Sequence, residues 1–118
     1  MHYFFIGLGG ALGSMLRYAT GQFFSGKNES FPLATLIVNV VSCFILGAAI
    51  ALFSKNIIDE KQRLFLVTGF CGGLSTFSTF TYESYQLLES GSYLLFVANN
   101  LLSVLVCLIF LFLGLKLF

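Results

Sequence analysis

The stretch Gly72-Gly73-Leu74-Ser75-Thr76-Phe77-Ser78-Thr79-Phe80 sets a glycine pair, four hydroxyl side chains and two phenylalanines inside an otherwise apolar run. In hydrocarbon an unpaired backbone N–H or C=O costs several kcal/mol, so a helix break at membrane depth implies shelter by protein or by a wet cavity. With Leu64 to Cys71 before it and Thr81 to Leu88 after it, the stretch supplies about 25 residues where ~20 span the bilayer core. It predicts one membrane helix over 64–88, broken near Gly72 to Ser75. A second half-helix starting near Ser75 or Thr76 aligns Phe77, Phe80 and Ser84 on one strip and Thr76, Thr79 and Glu83 on the next. Phenylalanine rings have a positive edge. Two edges aimed at one point make a dry, weakly electropositive contact suited to a small anion; the same i,i+3 spacing also serves simple core filling. The break itself offers both signs of partial charge, N–H groups that favour anions and carbonyls that favour cations.

Three further polar residues stand where apolar ones are expected. Asn39 lies within Leu36-Ile37-Val38-Asn39-Val40-Val41. It serves either as an interhelical hydrogen bond, worth about 1 kcal/mol in such settings, or as an uncharged N–H donor facing a passing anion. Arg17 sits seven residues from the end of an apolar run, where a guanidinium costs ~3 kcal/mol or more unless it snorkels, pairs or meets water. It either snorkels to a vestibule or holds an anion-attracting or structural post there. Glu83 is the acidic residue well inside a span, about two turns from the break, and intramembrane carboxylates mark ion or proton paths. Asn99, Ser103 and Cys107 share one helix face at four-residue spacing, as a polar lining or as interhelical glue. No catalytic set accompanies them: His2 is the single histidine, and HExxH, a nucleophile elbow and a P-loop are all missing. An enzyme is not expected.

The elements that must position these groups follow from composition. Of 118 residues 58% are hydrophobic and only 9% charged, which defines an all-α membrane protein rather than a water-soluble domain. Four helices are expected, over about 3–24, 32–53, 64–88 and 93–118, in a single domain spanning 1–118. Gly9, Gly10, Gly13 and Ser14 give the first helix a small-xxx-small surface for close packing; Ser42, Gly47 and Ala48 have the same character in the second. Ser25 to Phe31 reads as a loop, Pro32 as the first helical turn, Ser54 to Arg63 as a charged surface loop, and Glu89-Ser90-Gly91-Ser92 as a tight turn. Cys43, Cys71 and Cys107 are dispersed in apolar runs and are expected as packing residues, not as a disulfide or metal framework. The N-terminal run lacks a basic n-region and carries Arg17, so it is expected to be retained rather than cleaved. Net charge is +1, which offers nothing to nucleic acid. With four spans, Lys55, Lys61, Arg63 and Lys116 share one side against Lys27 and the deep Arg17 on the other, a weak positive-inside bias.

Gly9-Gly10-Ala11-Leu12-Gly13-Ser14-Met15-Leu16-Arg17-Tyr18, Pro32-Leu33-Ala34-Thr35-Leu36-Ile37-Val38-Asn39, and Gly69 to Phe80 with Glu83 resemble the signature blocks of the CrcB/Fluc fluoride channels. The resemblance covers three of the four expected helices; the fourth matches in character only. It implies a passive, selective channel that sheds cytoplasmic fluoride across the bacterial inner membrane. It further implies an antiparallel, dual-topology homodimer with two pores and a structural sodium ion on the two-fold axis. Carried over residue by residue, Asn39 is the pore asparagine and Phe77 and Phe80 are the fluoride-facing rings. Ser78, Thr79 and Glu83 are pore-lining polar groups, Ser103 and Cys107 follow more loosely, and the backbone carbonyls of Gly72 and Ser75 hold sodium. Ala34 and Ser75 depart from the family's usual glycine and threonine, and a carbonyl ligand tolerates the second change. Beside fluoride, the implied partners are membrane lipid and a second copy of the chain. The alternative is a dual-topology, proton-coupled small-molecule exporter, but such proteins rely on an acidic residue in the first span, where this chain has Arg17.

Overall fold

The computed structural model describes residues 1–25 and 31–118, so most of the expected first loop, with Lys27, lies outside the described residues. Every regular element among them is helical: α1 (His2–Phe24), α2 (Leu33–Ser54), α3 (Glu60–Arg63), a π-helical segment (Leu64–Cys71), α4 (Gly72–Leu74), α5 (Ser78–Glu89) and α6 (Tyr93–Leu117). Three segments are long and apolar enough to cross a membrane: Leu33–Ser54, Glu60–Glu89 counted through its break, and Tyr93–Leu117. The chain is a membrane protein. α1, with 23 residues, matches them in length at about 34 Å, but its glycines, Arg17 and Gln22 make it less apolar.

Glycine contacts set the arrangement. Gly9 and Gly13 of α1 pack directly on Gly69 and Gly73, and a Cβ on Gly9 would come within 2.9 Å of Phe70 N. Gly47 of α2 and Gly114 of α6 meet in the same way, a Cβ on Gly114 falling 2.8 Å from Ala48 N. Such small surfaces let backbones approach where lipid gives no hydrophobic drive for association. In both crossings residue numbers rise together, so α1 runs parallel to the π segment and α4, and α2 runs parallel to α6. The two pairs are antiparallel to each other. Both termini and the 55–59 turn fall at one end, where Lys55 Nζ donates to the carbonyl of Phe118. Large side chains point outward, among them Leu94, Leu101, Leu105 and Phe112, as expected of a surface solvated by lipid.

Several boundaries differ from expectation. Pro32 is the N-cap of α2 rather than its first turn. The charged loop is shorter than expected because Asp59 and Gln62 form a reciprocal capping box that starts α3 at Glu60. The turn after α5 is a Schellman closure: Ser92 N donates to Leu87 O, Gly91 N donates to Leu88 O, and Gly91 takes φ +81, which favours glycine. The expected break is the largest correction. Gly72 and Gly73 are helical, Gly72 at φ −63 and ψ −34. The chain leaves the helix at Ser75, with φ −79 and ψ 157, and resumes at Ser78. Gly73 serves close contact with α1, and Gly72, exposed on the other side, continues the helix instead of opening it.

Candidate functional site

The interruption from Ser75 to Phe77 needs partners that a helix would supply internally, and three side chains supply them. Asn39 of α2 pairs with both backbone groups of Thr76: Oδ1 accepts from Thr76 N at 2.8 Å, and Nδ2 donates to Thr76 O at 3.2 Å. Arg17 of α1 donates from Nε to Gly73 O at 2.9 Å. The hydroxyl of Ser75 donates to Cys71 O at 2.7 Å, beside the Ser75 N bond to the same carbonyl at 2.9 Å. Thr76 Oγ1 then caps α5 by accepting from Thr79 N at 3.2 Å, and lies 3.3 Å from Ser78 Oγ. Among the described residues, the carbonyls of Gly72, Leu74 and Ser75 and the N–H groups of Phe77 and Ser78 find no such partner. An open, polar backbone therefore persists in mid-span.

Two cavities flank this point. One, of about 310 Å³, is lined by Asn39, Cys43, Ser75, Thr76, Phe77, Phe80, Ser103, Val104 and Cys107. The other, of about 440 Å³, includes Arg17, Thr35, Thr76, Thr79 and Glu83 in its wall and lies toward the end where α1 finishes and α2 begins. Thr76 borders both, so the two strips expected on α5 open on different cavities, the aromatic one on the first and the hydroxyl and carboxyl one on the second. The Phe77 and Phe80 ring centroids are 5.9 Å apart with planes at 41°. Phe77 is 78% exposed in the single chain.

The structure brings Asn39, Phe77, Phe80 and Ser103 together, and Arg17, Thr79 and Glu83 together. Ser78 lies between the groups, bonded to Thr76 but outside both walls. Ser103 Oγ and Glu83 Oε1 are buried without a hydrogen-bond partner among the described residues, as is Ser42 Oγ. The α6 stripe divides. Asn99, 1% exposed, is consumed by Ser84 Oγ at 2.9 Å, with Asn100 adding a 3.4 Å contact to the same hydroxyl; Ser103 and Cys107 stay open to the cavity. Ser84 thus leaves the aromatic strip and acts as interhelical glue. Thr35 and Cys43 line the cavities without having stood out in the sequence, whereas Thr76 falls on the expected polar strip. For Thr76 the signal was its i,i+3 spacing to Thr79; for Cys43 it was the i,i+4 spacing to Asn39.

Fold and site together define a helical membrane protein with a broken helix whose polar backbone is shared between two cavities. Residues 4–115 match the family model described as CrcB-like protein, Camphor Resistance (CrcB). The chain is 51% identical to a protein of Campylobacter fetus over 88% of its own length and 86% of the relative's, and 47% identical to one of Pyrococcus abyssi over 91% and 87%. A Methanococcus aeolicus protein is 40% identical over 92% and 88%. All three relatives are named fluoride-specific ion channel FluC. The chain belongs to the CrcB family, a family of ion channels and not of enzymes.

Proposed function

We propose that the chain is a passive, fluoride-selective channel of the cell (inner) membrane, crossing it four times with α1 as the first span. The observation that carries this is the cavity in which Asn39, Phe77, Phe80 and Ser103 converge beside an open helix break. Arg17 in the cavity of about 440 Å³ draws anions from water. Thr79, Thr76 and the free N–H groups at the start of α5 replace part of the ion's hydration, helped by the positive end of that helix. Asn39 keeps one amide hydrogen beyond its bond to Thr76, and Ser103 offers an unspent hydroxyl. The Phe77 and Phe80 edges complete a path that repays dehydration in steps without a deep site that would stall conduction. Larger halides accept weaker hydrogen bonds and fit the path less well.

The functional unit in this proposal is an antiparallel homodimer with two pores. Gly72 and Phe77 are exposed at the depth of the break in a single chain, and such backbone is tolerated in a bilayer only when protein or water shelters it. A weak charge bias between the two ends is consistent with insertion in both orientations. The carbonyls of Gly72 and Ser75, open at a helix C-terminal end, fit a monovalent cation such as sodium, and a second copy of the break would double the oxygen count. Such an ion would neutralise carbonyl dipoles left by the break. Arg17 already occupies Gly73 O, so the fit rests on Gly72 and Ser75.

Fluoride efflux from loaded liposomes, measured with a fluoride electrode with and without a proton ionophore, tests the function. Efflux that needs only a potassium shunt to balance charge is expected. Efflux that requires a proton gradient would favour the proton-coupled exporter, and none at all would refute both. Labelling of Lys27→Cys and Lys61→Cys from both faces of intact cells tests the dual topology; labelling of each from a single face would refute it.

A further inference from the structure

The channel reading gives Cys43 and Cys107 no chemical role, yet both line the cavity of about 310 Å³ that holds Asn39, Phe77 and Phe80. Cys43 lies one turn beyond Asn39 on α2, and Cys107 one turn beyond Ser103 on α6. Because α2 and α6 run parallel, the two cysteines form a second rung about 6 Å along the helices from the Asn39 and Ser103 rung. Both side chains line the same cavity, and neither is in a disulfide. Cys71 is different: it is 5% exposed, lines neither cavity, and its thiol donates to Ser42 O at 3.4 Å. The remaining wall of that cavity holds no carboxylate and no imidazole. Two thiols on one cavity wall match the two-coordinate preference of soft d¹⁰ ions.

We propose that Cys43 and Cys107 form a two-thiolate site for thiophilic cations of the Cu(I), Ag(I) and Hg(II) class, and that an ion held there closes the anion path. Each thiol releases its proton to cavity water as its sulfur bonds the metal, so two protons leave per ion and no electrons are exchanged. With a monovalent ion the bridged pair has a net charge of −1, set one turn from Asn39, where it repels fluoride. With Hg(II) the pair is neutral and obstructs the path by volume. Closure rests on the channel reading; binding does not.

The test uses the full chain and mercuric chloride, with an excess of a monothiol competitor to strip metal held by a single cysteine. Mercury per chain is measured by mass spectrometry in detergent, and fluoride efflux in liposomes is expressed as a fraction of each variant's own untreated rate. The wild type and Cys71→Ser are expected to retain one mercury per chain and to lose efflux to the level of protein-free liposomes, with recovery in dithiothreitol. Cys43→Ser and Cys107→Ser are expected to retain neither mercury nor block. In the unmodified chain, one equivalent of mercury should protect Cys43 and Cys107 from maleimide, a readout that holds even if a serine variant does not fold. Equal retention in either serine variant, or no retention by the wild type, would overturn the site. Retention by the pair with efflux unchanged would overturn closure, whereas absent efflux before any mercury would count against the channel reading and leave the binding result standing.

Discussion

The crossing of α2 with α6 and the break between α4 and α5 solve opposite problems in the same solvent. At the crossing Gly47 and Gly114 bring two intact helices into backbone contact, and the gain is close packing. At the break the helix is interrupted, and its backbone is completed from outside by Arg17, Asn39 and Ser75. The first arrangement tolerates no added atom and offers no polar group to a solute. The second has unspent donors and acceptors. In a bilayer, open backbone of this kind persists only where it lines a protected cavity, and our proposal accordingly puts ion chemistry at the break and not at the tighter crossing.

Substitutions can sharpen that contrast, beginning with the largest effect. Gly114→Leu places a side chain against the backbone of α2, where overpacking alone costs about 1–3 kcal/mol and backbone cannot yield as a side chain would; gel filtration should show loss of the folded species. Gly72→Ala is the matching control at the break, since its Cβ would meet nothing closer than Val67 O at 3.9 Å, and it should fold. Asn39→Leu removes both partners of Thr76, and each buried group left unsatisfied costs about 1–3 kcal/mol. Conduction should vanish and thermal stability should fall. Asn39→Asp should instead stay folded more often than it conducts, because it still accepts from Thr76 N but turns a negative charge toward an anion path. Arg17→Gln should lower efflux at low ionic strength more than at high, where screening already weakens the attraction, and Arg17→Lys should retain more of it. Ser75→Ala is the mildest: its hydroxyl duplicates a backbone bond to Cys71 O, and about 0.5–1.5 kcal/mol is at stake. A Ser75→Ala protein that folds but loses all activity would show that the hydroxyl, and not the carbonyl, is what matters there.

Much of this architecture was legible in the sequence because apolar runs of spanning length and small-residue spacing are local signals. Gly9, Gly13, Gly47 and Ser42 fall in helix contacts as expected, and the three cysteines are free. The break was legible in kind but displaced: a glycine pair permits both a helix and its interruption, and contact with α1 at Gly10 and Ser14 selects the helix for Gly73. The π segment had no signal, since Leu64 to Cys71 contains no proline and its wider ladder emerges only in packing. Arg17 was recognised as costly, but its partner lies 56 residues away, beyond any local pattern. The same holds for Asn39, whose hydrogen bonds to Thr76 reach 37 residues along the chain while the residue also lines the cavity.

The central claim is that the Phe77 and Phe80 ring edges belong to the anion path and are not merely packing. Phe77→Ile and Phe80→Ile keep apolar bulk, at a cost usually below about 1.5 kcal/mol for such swaps, while removing the positive edge. Fluoride efflux from liposomes, paired with gel filtration of each variant, is the direct measurement. The account predicts folded protein of wild-type elution volume with efflux reduced to the background of empty liposomes. Folded Phe77→Ile and Phe80→Ile proteins that both conduct at the wild-type rate would contradict it.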